Sequence, residues 1–273
     1  MKKFSRILLR KPQTGIQVEF EPFKQYVVSG DYRRNAIDLV PGWNNPLPPE
    51  GGETEELAAY RYDPRITWAI EQHGGVCGAH VLEVGPMEAR HTYMLEQAGA
   101  RIDSVEANRL GFMKCLVAKE IMDLKAKFYL AEINAFLRQS DQSYDLIVAC
   151  GVLYHMRDPL TLLELFAQKA PALVLWTHFV QDAERANAER DRPPYFSIDG
   201  RFGFDVRLFE RAYITAEMQD KFCGGVFDHP RWIFRDDLPK ALAAVGYDDI
   251  RIAHEEVNHP NGPALTIYAQ KSD

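Results

Sequence analysis

Three carboxylates recur at a near-regular interval. Glu83, Glu106 and Glu132 are separated by 23 and 26 residues, and His155 follows after another 23. Each stands at or just beyond the end of a predicted strand. An acid in the place of Glu106 can accept hydrogen bonds from ribose hydroxyls. Glu132, beside the apolar Ile133, can hold an adenine amino group while its neighbour packs the ring. His155 can accept a proton near neutral pH, because imidazole titrates at about 6.5. Each acid also has a plainer reading, as a strand-end surface residue or a helix N-cap. Three at successive strand ends favour an adenosine-type ligand.

The elements between these residues put them on one edge of one sheet. Asp63-Pro64 predicts an N-cap and first helical residue, opening a helix to His73 that ends at Gly74-Gly75. Strands are predicted at 80–85, 101–106, 126–131, 144–150 and 172–178, with helices at 88–98, from Asn108 to about Leu124, at 133–139 and from Asp158-Pro159. A helix opening at Asp236-Asp237 and two strands, 248–256 and 263–270, close the chain. Strands alternating with helices predict βαβ units and a mostly parallel sheet covered on both faces. The short last connection predicts an antiparallel pair. Ligands of such sheets sit at the carboxyl ends of the strands, and Gly85 lies at the first strand–helix turn.

The segments Leu82-Glu-Val-Gly85, Val105-Glu-Ala-Asn108, Glu132-Ile133 and Asp145-Leu-Ile-Val-Ala-Cys-Gly-Val-Leu-Tyr-His155 resemble the class I S-adenosylmethionine-dependent methyltransferases. The resemblance covers about residues 76–178, with 231–271 fitting the final helix and strands. It implies a doubly wound α/β fold of seven strands in the order 3-2-1-4-5-7-6, and S-adenosylmethionine as cofactor. It places Glu83, Gly85 and Pro86 at the methionine and sulfonium side, and Glu106 at the ribose with Ala107 and Asn108 beside it. Glu132 and Ile133 would meet the adenine; Cys150 and Gly151 would flank the methionine portion. The Gly151-Val-Leu-Tyr-His155 segment is also similar to tRNA wobble-uridine carboxymethyltransferases, which use a carboxylated cofactor. No basic residues are identified for that extra carboxylate, so the ordinary cofactor is expected. One departure stands out: Met87 and Ala89 occupy positions where the family carries further glycines.

The remaining segments supply the substrate side. Residues 1–62 are expected to be an irregular, aromatic N-terminal arm or lid, and 63–273 the cofactor-binding domain with a lid insertion at 179–230. Tyr154, His178, Tyr195 and Trp232 are candidate substrate residues, and His155 the candidate base; a pocket-shaping or structural role is the alternative for Tyr154, His155 and His178. Other insertion aromatics are expected to be mostly core. The histidine spacings demand no metal. The four cysteines form no C-x-x-C pair and read as reduced, mostly buried thiols. A formal net charge of −7 argues against broad phosphate-backbone binding, so nucleic acid is not an expected partner. No apolar run is long enough for a membrane span or an N-terminal leader, so a soluble, cytoplasmic protein is expected. Methyl transfer to a small-molecule or sugar-like acceptor is the expected activity. The alternatives are RNA (carboxy)methylation and a non-catalytic cofactor-binding scaffold.

Overall fold

A computed structural model of the chain describes residues 26–27, 30–44, 47, 60–181, 195–211, 226–227 and 229–272. The arm is not wholly irregular as expected: Tyr32–Asp38 form a short helix, α1, opened by Asp31, whose Oδ1 accepts from the Arg34 amide at 3.0 Å. The central domain then alternates. In chain order it comprises α2 (Pro64–Gln72), β1 (His80–Val84), α3 (Arg90–Gln97), β2 (Arg101–Glu106), α4 (Arg109–Met122), β3 (Lys127–Leu130), α5 (Ile133–Gln139), β4 (Leu146–Cys150), α6 (Pro159–Lys169) and β5 (Ala172–His178).

The helix starts are written in the caps. Asp63, Asn108, Glu132 and Asp158 each accept from amides of the first turn, with proline following Asp63 and Asp158 at the first helical position. β1, β4 and β5 are buried on both faces almost throughout, whereas β3 at the sheet edge is partly exposed. Leu82 and Val84 pack with α5 and α6, in a layer containing Leu162, Phe166 and Leu175, while Val81 packs on α2 and α3 against Ile66, Met94 and Leu95.

The insertion holds regular structure that its proline and glycine punctuation conceals. Strands β6 (Tyr195–Asp199), β7 (Val206–Glu210) and β8 (Arg231–Ile233) pair antiparallel in a separate sheet. The chain then closes with α7 (Asp237–Ala244), β9 (Asp249–Glu256) and β10 (Ala264–Gln270). The main sheet has seven strands ordered β3-β2-β1-β4-β5-β10-β9. This differs from the expected 3-2-1-4-5-7-6 because three further strands, two in the insertion and β8 just after it, intervene in the numbering. β10 runs antiparallel to both β5 and β9; β1 to β5 are parallel. Among the described residues, no helix is long and apolar enough to cross a membrane.

Candidate active site

A cleft of about 430 Å³ opens at the carboxyl ends of β1, β2, β3, β4 and β5. That is the place where parallel strands leave a crevice between diverging helices. Gly85, Pro86, Glu106, Ala107, Asn108, Glu132, Ile133, Cys150, Gly151, Tyr154 and His155, all anticipated from the sequence, line it.

Gly85 leaves β1 at φ +71°, and a Cβ there would come within 2.8 Å of Val152 Cγ2, so a side chain is excluded twice over. Glu106 ends β2. One carboxylate oxygen accepts the Asn108 amide at 2.8 Å and the other the Met87 amide at 3.1 Å. Gly111 packs against its carboxyl carbon, where a Cβ would approach to 3.1 Å. Burial nevertheless raises the Glu106 pKa, with the backbone donors opposing it. Glu132 lines the cleft while capping α5, accepting from the Asn134 and Ala135 amides at 3.0 and 2.9 Å. The plainer N-cap reading therefore holds for Glu132 alongside any role at a ligand.

Glu83 does not line the cleft. It follows Val81 by two residues, so alternation turns it onto the α3 face, where it is 2% exposed. Its Oε2 accepts from Ser104 Oγ at 2.8 Å and from Thr92 Oγ1, and burial raises its pKa.

The far wall is aromatic. Tyr154 and His155 lie on a 3-10 turn, Leu153–His155, their ring centroids 4.1 Å apart. Trp176 borders the cleft beside Tyr154, centroids 6.0 Å apart. His178 and Trp232 are buried and stand behind Tyr154 rather than on the cleft surface, their own rings stacked at 4.9 Å. Nδ1 of His178 donates to the Gly262 carbonyl at 2.8 Å, which fixes that nitrogen as the protonated one in the neutral ring. These two residues therefore support the wall instead of forming it. The side chain of Tyr195 lies outside the described residues. Phe202, Phe204 and Phe227 pack on the main core, as expected for most insertion aromatics. His155 is driven down to about 4 by burial and then by His178, and His178 to about 4 chiefly by burial, so both rings are neutral at pH 7.

Sequence reasoning missed a charged cluster at the same end. Asp63, besides capping α2, accepts from Arg65 Nε and Nη2 at 2.9 and 2.6 Å and from His91 Nε2 at 3.0 Å. Burial would neutralise His91, but its bonds to Asp63 and Cys150 raise it to about 9, leaving it cationic. Asp63 is correspondingly held well below the usual carboxylate range: burial opposes this, and the bonds from Arg65 and His91 prevail. Arg65 and His91 both line the cleft, and the Arg65 guanidinium lies 4.9 Å from the Trp176 ring centroid. The only sequence signal was Asp63 itself, which capping already explained. Cys150 borders this cluster and is half-buried, Cys115 is buried and Cys77 is exposed; Cys223 lies outside the described residues.

The cleft suits an adenosine-containing sulfonium compound. Its volume is in the range of small-ligand sites, an acid fixed by two backbone donors faces it, and Val105, Ala131 and Ile133 give apolar walls. No protein-family model and no curated protein sequence matches the chain. Solved structures do. The N-terminal domain of EvdMO1, determined in the presence of SAH and D-fucose, is 20% identical with a TM-score of 0.64, covering 88% of this chain and 95% of that one. An S-adenosylmethionine-dependent methyltransferase from Clostridium acetobutylicum is 10% identical (TM-score 0.52; 78% and 92% covered). Magnesium protoporphyrin IX methyltransferase from Synechocystis with bound SAH is 14% identical (TM-score 0.51; 82% and 90% covered). At these identities the likeness establishes a shared fold.

Proposed function

We propose that the chain is an S-adenosylmethionine-dependent methyltransferase acting on a small, sugar-like acceptor. The observation that carries this reading is the Glu106 carboxylate, immobilised by the Met87 and Asn108 amides at the mouth of the Gly85 turn. In this reading Glu106 takes the ribose hydroxyls, and Ala107, Asn108 and Ile133 line the adenosine portion. Gly85, Pro86, Cys150 and Gly151 flank the methionine portion, where Arg65 and His91 supply positive charge for a carboxylate. When bound, the cofactor supplies an electrophilic methyl on a sulfonium.

The protein's own part is alignment and one proton. Tyr154 and Trp176 offer ring faces on which the C–H face of a sugar can stack, so they orient an acceptor hydroxyl. His155, neutral at pH 7, accepts that hydroxyl's proton on an imidazole nitrogen. A weak base suffices, because the hydroxyl becomes strongly acidic only as its oxygen acquires the methyl group. The neighbour determined with SAH and D-fucose supports a deoxysugar as the first acceptor class to try. Residues 1–62 and 179–230 are proposed to frame the acceptor side.

Carboxymethyl transfer is a second reading. In that reading the Arg65–His91 pair meets the donor's additional carboxylate instead of the methionine carboxylate. Incubation with methyl-labelled S-adenosylmethionine and a panel of free and nucleotide-linked deoxysugars tests the main reading. A labelled methyl ether on one of them is the expected product. Label in none of them, but transfer from the carboxylated donor to RNA, would replace it.

A further inference from the structure

The turn that leaves β1 carries three positive-φ residues in five: Gly85 at +71°, Met87 at +58° and Ala89 at +60°. Glycine adopts this region freely, whereas a Cβ there meets the neighbouring carbonyl. Two of the three positions therefore hold a conformation that their own side chains oppose, and such strain persists only where the surroundings enforce it.

The enforcement is visible. Glu88, between the two strained residues, is 1% exposed and its Oε1 meets Lys114 Nζ from α4 at 2.8 Å. The same oxygen accepts the Asn44 amide at 2.7 Å, so one carboxylate binds both α4 and the N-terminal arm. Lys114 is 2% exposed, also donates to the Gly42 carbonyl, and lies 5.5 Å from the Trp43 ring centroid. From the other side, Tyr60 Oη donates to the Glu88 carbonyl at 2.9 Å. Ala89 is fully buried among Val40, Leu47, Tyr60 and Tyr93. A buried ion pair with this many attachments fixes geometry better than it adds stability.

We propose that Glu88 and Lys114 are positioning residues, which clamp the arm onto the turn and hold Met87 and Ala89 in the shape that glycines would otherwise provide. The Met87 amide donates to Glu106, so the clamp sets both the turn and the ribose-side acid. This inference rests on the methyltransferase reading for its ligand, but the strain it describes is independent of any ligand.

The test combines Lys114→Met with Glu88→Gln, which removes both charges together, and crosses that clamp variant with Met87→Gly. Binding of S-adenosylhomocysteine is measured by calorimetry and stability by thermal unfolding. The clamp variant should bind about tenfold more weakly, and Met87→Gly should restore most of that loss. Thermal unfolding should show the reverse pattern: Met87→Gly raises the melting temperature of the intact chain and raises that of the clamp variant less, because an unclamped turn has already relaxed. Additive effects on melting temperature, or a binding loss that glycine fails to rescue, would overturn the proposal. Failure of the intact chain to bind the nucleoside would instead count against the methyltransferase reading, while the unfolding cycle would still decide the clamp.

Discussion

A buried histidine beside a tyrosine and near a second histidine gives up its charge at a pH where free imidazole keeps it. His155 is in that position, with its pKa at about 4. In its proposed role as proton acceptor it stays competent from about pH 5 upward, so the transfer rate should be flat between about pH 6 and 8 where His155 alone controls it. His155→Gln keeps a polar group of similar reach but cannot take the proton to the same extent. Its kcat should fall about 10²-fold, with cofactor affinity unchanged. Initial-rate kinetics across pH measures both; a His155→Gln variant as fast as the parent would remove His155 from the chemistry. At this scale much of the cleft was legible, because strand-end acids and glycines announce themselves by type and place. Glu83 lies off the cleft because strand alternation turns it, two residues beyond Val81, onto the α3 face. Arg65 and His91 were invisible because they join through Asp63, which lies 28 residues from His91 in sequence.

The separate sheet must be fastened to the main domain for its residues to matter at the cleft; Val206, Leu208 and Ile233 pack into the main core, and polar contacts add to this. Asp237, the first residue of α7, accepts from Arg207 of β7 through Nε at 2.7 Å, Nη2 at 3.0 Å and the backbone amide at 2.9 Å. Arg201 reaches the N-cap of α6 through Asp158 at 2.9 Å. The Arg231 amide bonds the Met156 carbonyl at 2.8 Å, tying β8 to the turn that carries Tyr154 and His155. Asp237→Ala should lower unfolding stability by about 2 kcal/mol, since it strands a backbone donor and a half-buried guanidinium. Urea unfolding reads this directly, and an unchanged midpoint would mean that apolar packing alone seats the sheet. Elements of the main domain were readable almost to the residue. Caps such as Asp158-Pro159 and runs such as Leu146–Cys150 depend on local chemistry. β6 and β7, joined by residues 200–205, were not readable because proline and glycine punctuation surrounds them, and β7 meets β8 only across residues 211–230.

Across the whole molecule, histidines set opposing pH dependences. His155 and His178 have lowered pKa values, so the stability they contribute is present above about 6.5 and is lost as pH falls through about 4. His91 is raised to about 9; its contribution is complete below about 6.5 and is lost as pH rises through about 9. Thermal stability should therefore peak near about pH 6.5. The alkaline limb should amount to about 3 kcal/mol, by the rise of His91 from about 6.5 to about 9, and His91→Gln should flatten it. Melting temperatures from about pH 4 to 10 give the curve, and an alkaline limb that survives His91→Gln would mean another group is responsible. The central claim is that this cleft binds the adenosine-containing cofactor through Glu106. Its most direct test is calorimetric titration of the protein and of Glu106→Ala with S-adenosylmethionine and S-adenosylhomocysteine. The expected result is saturable one-site binding that the substitution weakens at least about tenfold, as loss of a charged hydrogen-bond partner should. A folded protein that binds neither compound, or an alanine variant that binds both as well as the parent, would contradict it.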